Sequence, residues 1–429
     1  MTPPLFAVTF VRFGSFPALT QPFTSPIAVI PSGVAGRPFP WGGLLVLAGA
    51  VFLSVTAEML PTGLLPEMSA ELKVGESQIG LLVSVFAFAV VLTSIPLARF
   101  TRRVPRHRLI VLVLVVVSIS SAVSAVAPSF ELLVAARIVG GMAHGLFWAV
   151  MGAYSGYLVP KEQLGKAVAI TTGGGTLAFV LGVPLGTMLG HALGWRSAFG
   201  AIAVLCIVGA VLMMWLLPRV ERPARSDEHI ARHPSGRRKL DATVPAVALL
   251  CLLAAVIMIG HYAFYTFIAP YLTGELGVAR GDVALLLAVY GIAGAAGLVL
   301  AGTVFGPRPT LGLVLSVVVT ALSVSVMALF ADTPVVAIPA FVLWGLVFGT
   351  LPPLLGARLL HAASVDIRDT ASAFYSTSFN IGIGGGALVG AALLDGLGLT
   401  SLPVAYLIAL TLAGALLLAA ELYSRRARG

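Results

Sequence analysis

The chain has 429 residues, of which 59% are hydrophobic and only 10% charged, and its mean hydropathy is +1.02. A soluble globular domain carries about 25% charged residues, so a water-soluble fold is excluded and lipid is the natural solvent. The formal charge of +9 lies in short loops between apolar runs and not on one face. That argues against nucleic acid and for topology signals and contacts with anionic membrane lipid.

The first 40 residues are rich in Pro, Phe, Ser and Thr and hold no run long enough to span. They also lack a cleavable signal pattern. They read as a disordered cytoplasmic tail or as an over-long translation start, the second being favoured. A helix needs about 20 apolar residues to cross the hydrocarbon core. Such runs fall at 42–65, 80–99, 108–128, 132–157, 166–190, 197–217, 243–272, 282–304, 310–330, 334–358, 371–394 and 399–420. Residues 218–241 form the one long hydrophilic stretch and divide these runs into six and six. The expected organisation is an N-terminal extension (1–40), a six-helix bundle (41–217), a cytoplasmic linker (218–242), a second six-helix bundle (243–422) and a short tail (423–429). The fold class is an all-α polytopic membrane protein.

Lys and Arg set the orientation. With the N-terminus inside, the inner loops and tail hold Arg99, Arg102, Arg103, Arg106, Arg108, seven basic residues of the linker and others, twenty in all. The outer loops hold only Lys73, Arg196 and Arg280. Both termini are therefore expected in the cytoplasm, with the chain multi-pass in the cell membrane. The halves also match at a constant offset of 204 residues. Pro66 falls on Pro270, Pro105 on Pro309, Gly141 and Gly145 on Gly345 and Gly349, and Gly182 and Gly186 on Gly386 and Gly390. Two parallel copies of a six-helix unit, with a site at their interface near mid-membrane, are a transporter architecture.

The segments "AEMLPTGLLPEMSAEL", "RIVGGMAHGLFWAV", "GVPLGTMLGHALGWRSAF" and "GHYAFYTFIAPYL" resemble the major facilitator superfamily over about residues 41–422. More narrowly they resemble its twelve-helix drug:proton antiporters of the sugar-efflux, arabinose-efflux and chloramphenicol-exporter kind. The resemblance implies a proton-coupled exporter of a small organic molecule, a drug such as chloramphenicol or a sugar, without enzymatic activity or cofactor. A proton-coupled importer of a sugar or nucleoside is the alternative. A monomer suffices for such a mechanism. The loop after the second span departs from the family pattern. It reads "PLARFTRRVPRHR", keeping the basic residues Arg102 and Arg103 of a gating loop but lacking its Asp and Gly.

Glu58 is the conspicuous residue. A charge near the bilayer centre costs about 2.5–3.5 kcal/mol on insertion scales and normally faces a cavity or a partner. By helical rise, Glu58 and Arg137 lie at similar depth on the first and fourth spans. Their depths allow them to pair: Glu58 reads as a proton-coupling or substrate-contacting carboxylate, as half of a static pair with Arg137, or as a side chain snorkelling outward. The resemblance places Arg137 at the family's coupling arginine. His261, next to the repeat mate of Glu58, is either a proton switch or a neutral interhelical partner. His144 and Trp148 on the fourth span are cavity candidates, with packing as the default reading of His144. Tyr262, Tyr265 and Thr266 on the seventh span and Tyr375 and Asn380 on the eleventh offer aromatic faces and hydroxyls for a neutral, moderately polar ligand. Some of these will instead bond helix to helix. Gly182 and Gly186, with Pro184 bending the helix, match the family's antiporter motif and are expected to form a close contact with the other half. Cys206 and Cys251 sit in apolar runs with no ligand-spaced neighbour, so neither a disulfide nor a metal site is expected.

Overall fold

The computed structural model describes residues 39–160, 163–218, 241, 243–364 and 367–426. The N-terminal extension except its last two residues, nearly all of the 218–242 linker, Lys161, and the side chain of Arg102 lie outside the described residues.

The first half contains α1 (Trp41–Gly63), α2 (Leu65–Leu72), α3 (Glu76–Phe100), α4 (Arg106–Val126), α5 (Phe130–Leu158), α6 (Leu164–Leu177), α7 (Val183–Leu193) and α8 (Trp195–Leu216). The second contains α9 (Val244–Tyr265), α10 (Ile268–Gly274), α11 (Arg280–Thr303), α12 (Pro309–Leu329), α13 (Pro334–Phe348), α14 (Leu351–Ala362), α15 (Arg368–Leu397) and α16 (Ser401–Arg426). Twelve of these helices or interrupted helices are long and apolar enough to cross a membrane. They coincide with the twelve runs read from the sequence.

Proline decides which spans are interrupted, because it has no N–H and crowds the carbonyl four residues back. The first span breaks at Leu64, with Pro66 opening α2. Its repeat mate, the seventh, breaks at Thr266–Phe267, just before Pro270. The fifth span passes through a π turn, Ala178–Gly182, immediately before Pro184. Its mate α15 has Leu388 at that place and runs unbroken for 30 residues. Conversely α5 is unbroken over 29 residues, whereas its mate is split into α13 and α14 ahead of Pro352 and Pro353.

The repeat extends to the packing. A Cβ on Gly141 of α5 would meet the backbone oxygen of Phe86 at 2.5 Å. One on Gly345 of α13 would meet that of Tyr290, the mate of Phe86, at 2.7 Å. Small residues let these backbones approach closely, as is usual between helices in lipid. Between the halves, α3 packs on α15, and α7 with the π turn packs on α11. One end of the molecule is closed: the Phe267 ring presses on Gly80 of α3, and Leu287 lies against Gly63. At the opposite end, the loop after α3 is a 3-10 turn, Thr101–Arg103, in which Arg103 is exposed. There too Asp241 accepts hydrogen bonds from the Ser364 hydroxyl (2.6 Å) and from the Thr243 amide (2.8 Å) and hydroxyl (2.6 Å), tying the start of α9 to the loop before α15. These bonds hold the Asp241 carboxyl below its ordinary range.

Candidate functional site

A cavity of about 1080 Å³ lies between the halves. It runs from the level of Glu58, His144 and His261 to a mouth at Arg99, Arg106 and Ala373. Glu58 is the one acidic residue among its described lining residues.

Glu58 is buried on α1. Its Oε2 lies 3.4 Å from Nε2 of His144 on α5, and its Oε1 has no hydrogen-bond partner. His144 Nδ1 lies 2.8 Å from the Ser54 hydroxyl. The Trp148 indole N–H donates to His144 Nε2 over 2.7 Å. Helical spacing builds both contacts, since Ser54 and Glu58, like His144 and Trp148, are four residues apart and share a face.

Arg137 does not pair with the Glu58 carboxylate. Its Nη1 and Nη2 donate to the backbone oxygens of Ala57 and Glu58, each at 2.6 Å. Its guanidinium lies 4.2 Å from the centroid of the Phe86 ring. The cause is readable in the sequence: Pro61 has no N–H to give the carbonyl of Ala57 four residues before it. A buried carbonyl without a donor is costly, and Arg137 supplies one. The expected side-chain pair is therefore corrected to an arginine clasp on the α1 backbone, and the carboxylate's partner is His144.

The second half lacks this charged set. The repeat mates of Phe86, Arg137 and His144 are Tyr290, Phe341 and Phe348. Tyr290 stacks on Phe341 with centroids 4.8 Å apart, in place of the cation–π pair. Phe348 stacks on His261 at 3.5 Å. His261 is further boxed by Tyr262, Tyr265, Trp344 and Tyr406, and its Nδ1 has no hydrogen-bond partner. The charged residues Glu58 and Arg137 thus lie in the first half, whereas His261 sits among aromatic rings in the second.

Tyr262, Tyr265, Trp148, Tyr375 and Asn380 line the cavity with His144 and His261. Tyr375 also donates to the Pro352 carbonyl over 2.9 Å, and the Asn380 amide to the Ser376 carbonyl over 3.0 Å. Thr266 does not line the cavity in this conformation. It is fully buried where α9 ends and the chain turns into the closed end. The expectation that Gly182 and Gly186 contact the other half is also corrected. They seat on Thr56 and Leu60 of α1, in their own half, and their mates Gly386 and Gly390 seat likewise on α9. The contact across the halves comes from the other face of the bend, where the Phe179 carbonyl meets Gly291 of α11. Sequence reasoning passed over Ser54, Pro61, Phe86 and Phe348. The four-residue spacings from Ser54 to Glu58 and from Ala57 to Pro61 were the available signals.

The family model described as "Major Facilitator Superfamily" matches residues 47–249 and 250–428. A chloramphenicol efflux pump of Mycobacterium tuberculosis is 34% identical over 364 residues, covering 82% of this chain and 86% of that protein. A probable sugar efflux transporter of Mannheimia succiniciproducens is 30% identical over 361 residues, covering 84% and 88%. Among solved structures, a D-xylose–proton symporter superposes with a TM-score of 0.71 at 14% identity, covering 89% of this chain and 97% of that one. A bacterial homologue of the human lysosomal transporter Spinster, in an inward-facing and occupied conformation, gives 0.70 at 20% identity, covering 90% and 97%. With twelve spans, two repeated halves and a cavity between them, the chain belongs to the major facilitator superfamily and is a membrane transporter of small molecules.

Proposed function

We propose that the protein is a proton-coupled exporter of a neutral small organic molecule, chloramphenicol-like or a sugar, working by alternating access between its halves. The observation that carries this is Glu58: a single buried carboxylate on the wall of a cavity open at one end, with one oxygen unpartnered and the other beside an imidazole. A carboxylate taken out of water holds a proton more tightly, and a nearby cation loosens it. Movement between the halves changes both influences, so proton affinity follows conformation. Tyr262, Tyr265 and Phe348 supply faces for a ring or sugar, and Asn380 an amide. The mouth carries Arg99 and Arg106, but the described lining residues at depth include no basic cluster, so a polyanionic cargo is disfavoured.

The open end bears Arg99, Arg103, Arg106, Arg358 and Arg368, and the closed end Lys73, Arg196 and Arg280. This asymmetry supports a cavity facing the cytoplasm, with both termini there. The names of the relatives support the outward direction. Because one chain supplies both walls, a monomer is sufficient. The test uses everted membrane vesicles energised to an acid interior. Chloramphenicol or L-arabinose is expected to dissipate the pH gradient with wild type and not with Glu58→Gln. A gradient that collapses equally in the variant moves the proton site elsewhere.

A further inference from the structure

The contact between Trp148 and His144 fixes where a proton can sit. An indole N–H only donates. At 2.7 Å from His144 Nε2, it needs a lone pair there. His144 is then the neutral tautomer protonated on Nδ1, whose N–H is directed at the Ser54 hydroxyl 2.8 Å away. Glu58 Oε2, 3.4 Å from the same Nε2, would as a carboxylate face that lone pair with no hydrogen between them. As a carboxylic acid it carries no charge towards that lone pair, and its O–H is kept off Nε2 by the indole N–H already there. The geometry of this open-cavity state therefore fits a protonated Glu58 and a His144 whose acceptor position is already occupied by Trp148. His144 is buried at 3% exposure, whereas Trp148 is 36% exposed and lines the cavity. The group that a ligand can touch is the one that blocks the histidine.

We propose that Trp148 is a ligand-sensitive latch on the proton of Glu58, and that His144 is the relay through which that proton leaves. This rests on the reading of Glu58 as the proton carrier. A ligand acceptor that draws the indole N–H away bares the Nε2 lone pair. The Glu58 O–H bond then breaks as an N–H bond forms on Nε2. That N–H in turn gives its proton to water in the cavity, leaving a carboxylate and a neutral imidazole. Cargo entering from the open end thus expels the proton to the same side, which is the exchange an antiporter requires. The groups facing this set are few. Glu58 and Ser54 come from α1, the Phe86 ring from α3, Arg137 from α5 itself, and Tyr262 lies across the cavity. His261, Tyr265 and Tyr290 line the same cavity from the second half. The other titratable residues of the helices around α1 and α5 include Glu76 and Arg99 on α3, Arg106, His107 and Arg108 on α4, Lys166 on α6, His191 on α7, Arg196 and Cys206 on α8, and Arg280 and Asp282 on α11.

The test needs no ligand. The full chain is reconstituted in lipid and titrated by infrared difference spectroscopy, following the carboxylic acid C=O band that Glu58→Gln abolishes. Trp148→Phe keeps a ring and removes the donor. It is expected to lower the midpoint of that band by about one pH unit, tenfold in proton affinity. In a His144→Phe background the same change is expected to do nothing, since the relay is gone. Trp148→Leu repeats the measurement should the Phe variant not fold. An unchanged midpoint in Trp148→Phe, with the Glu58 band still titrating, overturns the latch and leaves Glu58 as the carrier. Absence of any titrating band that depends on Glu58 overturns both.

Discussion

The clasp of Arg137 on α1 makes a quantitative prediction that involves a residue it does not touch through its side chain. Replacing Arg137 by Leu removes two hydrogen bonds, each 2.6 Å long, to the backbone oxygens of Ala57 and Glu58. Bonds to a charged group are worth about 1.5–3 kcal/mol each, whereas interhelical polar contacts in membrane proteins average about 0.6 kcal/mol. The single variant is therefore a poor test, because about 1–6 kcal/mol is compatible with many causes. The informative quantity is the coupling with Pro61. In Pro61→Ala an N–H returns to the position from which the Ala57 carbonyl is normally served. Loss of Arg137 then leaves one fewer orphaned acceptor, and an orphaned acceptor costs about 1–3 kcal/mol. The Arg137→Leu substitution is thus expected to cost about 1–3 kcal/mol less in the Pro61→Ala background. Unfolding of the purified protein in increasing SDS, followed by thiol labelling of the fully buried Cys206, measures all four corners of the cycle. A coupling energy below about 0.5 kcal/mol, the scatter of independent sites, would refute the claim that Arg137 serves the carbonyl that Pro61 abandons.

Two further outcomes are expected. Gly291→Leu places a side chain against the Phe179 carbonyl at the seam of α11 with the π turn. Overpacking of about 1–3 kcal/mol should favour the conformer with that seam parted by about 5- to 150-fold. Maleimide labelling of a cysteine introduced at Gly63 should rise, and unchanged labelling would mean the seam does not hold the closed end. At the other end, hydrogen bonds from Ser364 and Thr243 depress the Asp241 carboxyl, so its contribution is complete above the ordinary carboxylate pKa and lost as pH falls through the depressed folded value. Hydrogen exchange in residues 243–247 and 363–364 should therefore accelerate below about pH 4. Asp241→Asn should remove that acid dependence.

Much of the fold was legible because the bilayer imposes it. A span must be apolar for about 20 residues, so twelve runs in the sequence become twelve helical spans. The 204-residue offset carried real packing information, since Gly141 on Phe86 and Gly345 on Tyr290 repeat one contact. Prolines marked which mates would differ, as with Pro184 against Leu388. The depth estimate brought Glu58 and Arg137 together correctly. It did not give the atoms, because depth along an axis says nothing of the rotation that turns the guanidinium to carbonyls and the imidazole to the carboxylate. The contacts of Gly182 and Gly186 were not legible for the same reason. A stripe of small residues states that something approaches closely, and only the three-dimensional arrangement states that it is α1 and not the opposite half. Thr266 was lost to the cavity because the break ahead of Pro270 turns the chain away after Tyr265.

The central claim, that cargo and proton move in opposite directions through Glu58, is tested most directly in proteoliposomes with no imposed pH gradient. They are loaded with chloramphenicol, or with L-arabinose, and diluted into medium without it, while an internal dye reports pH. The account predicts that outflow of the cargo acidifies the interior with wild type, and that Glu58→Gln produces no pH change. Alkalinisation would mean that cargo and proton travel together, and acidification that survives in Glu58→Gln would remove the carboxylate from the coupling; either result would contradict the account.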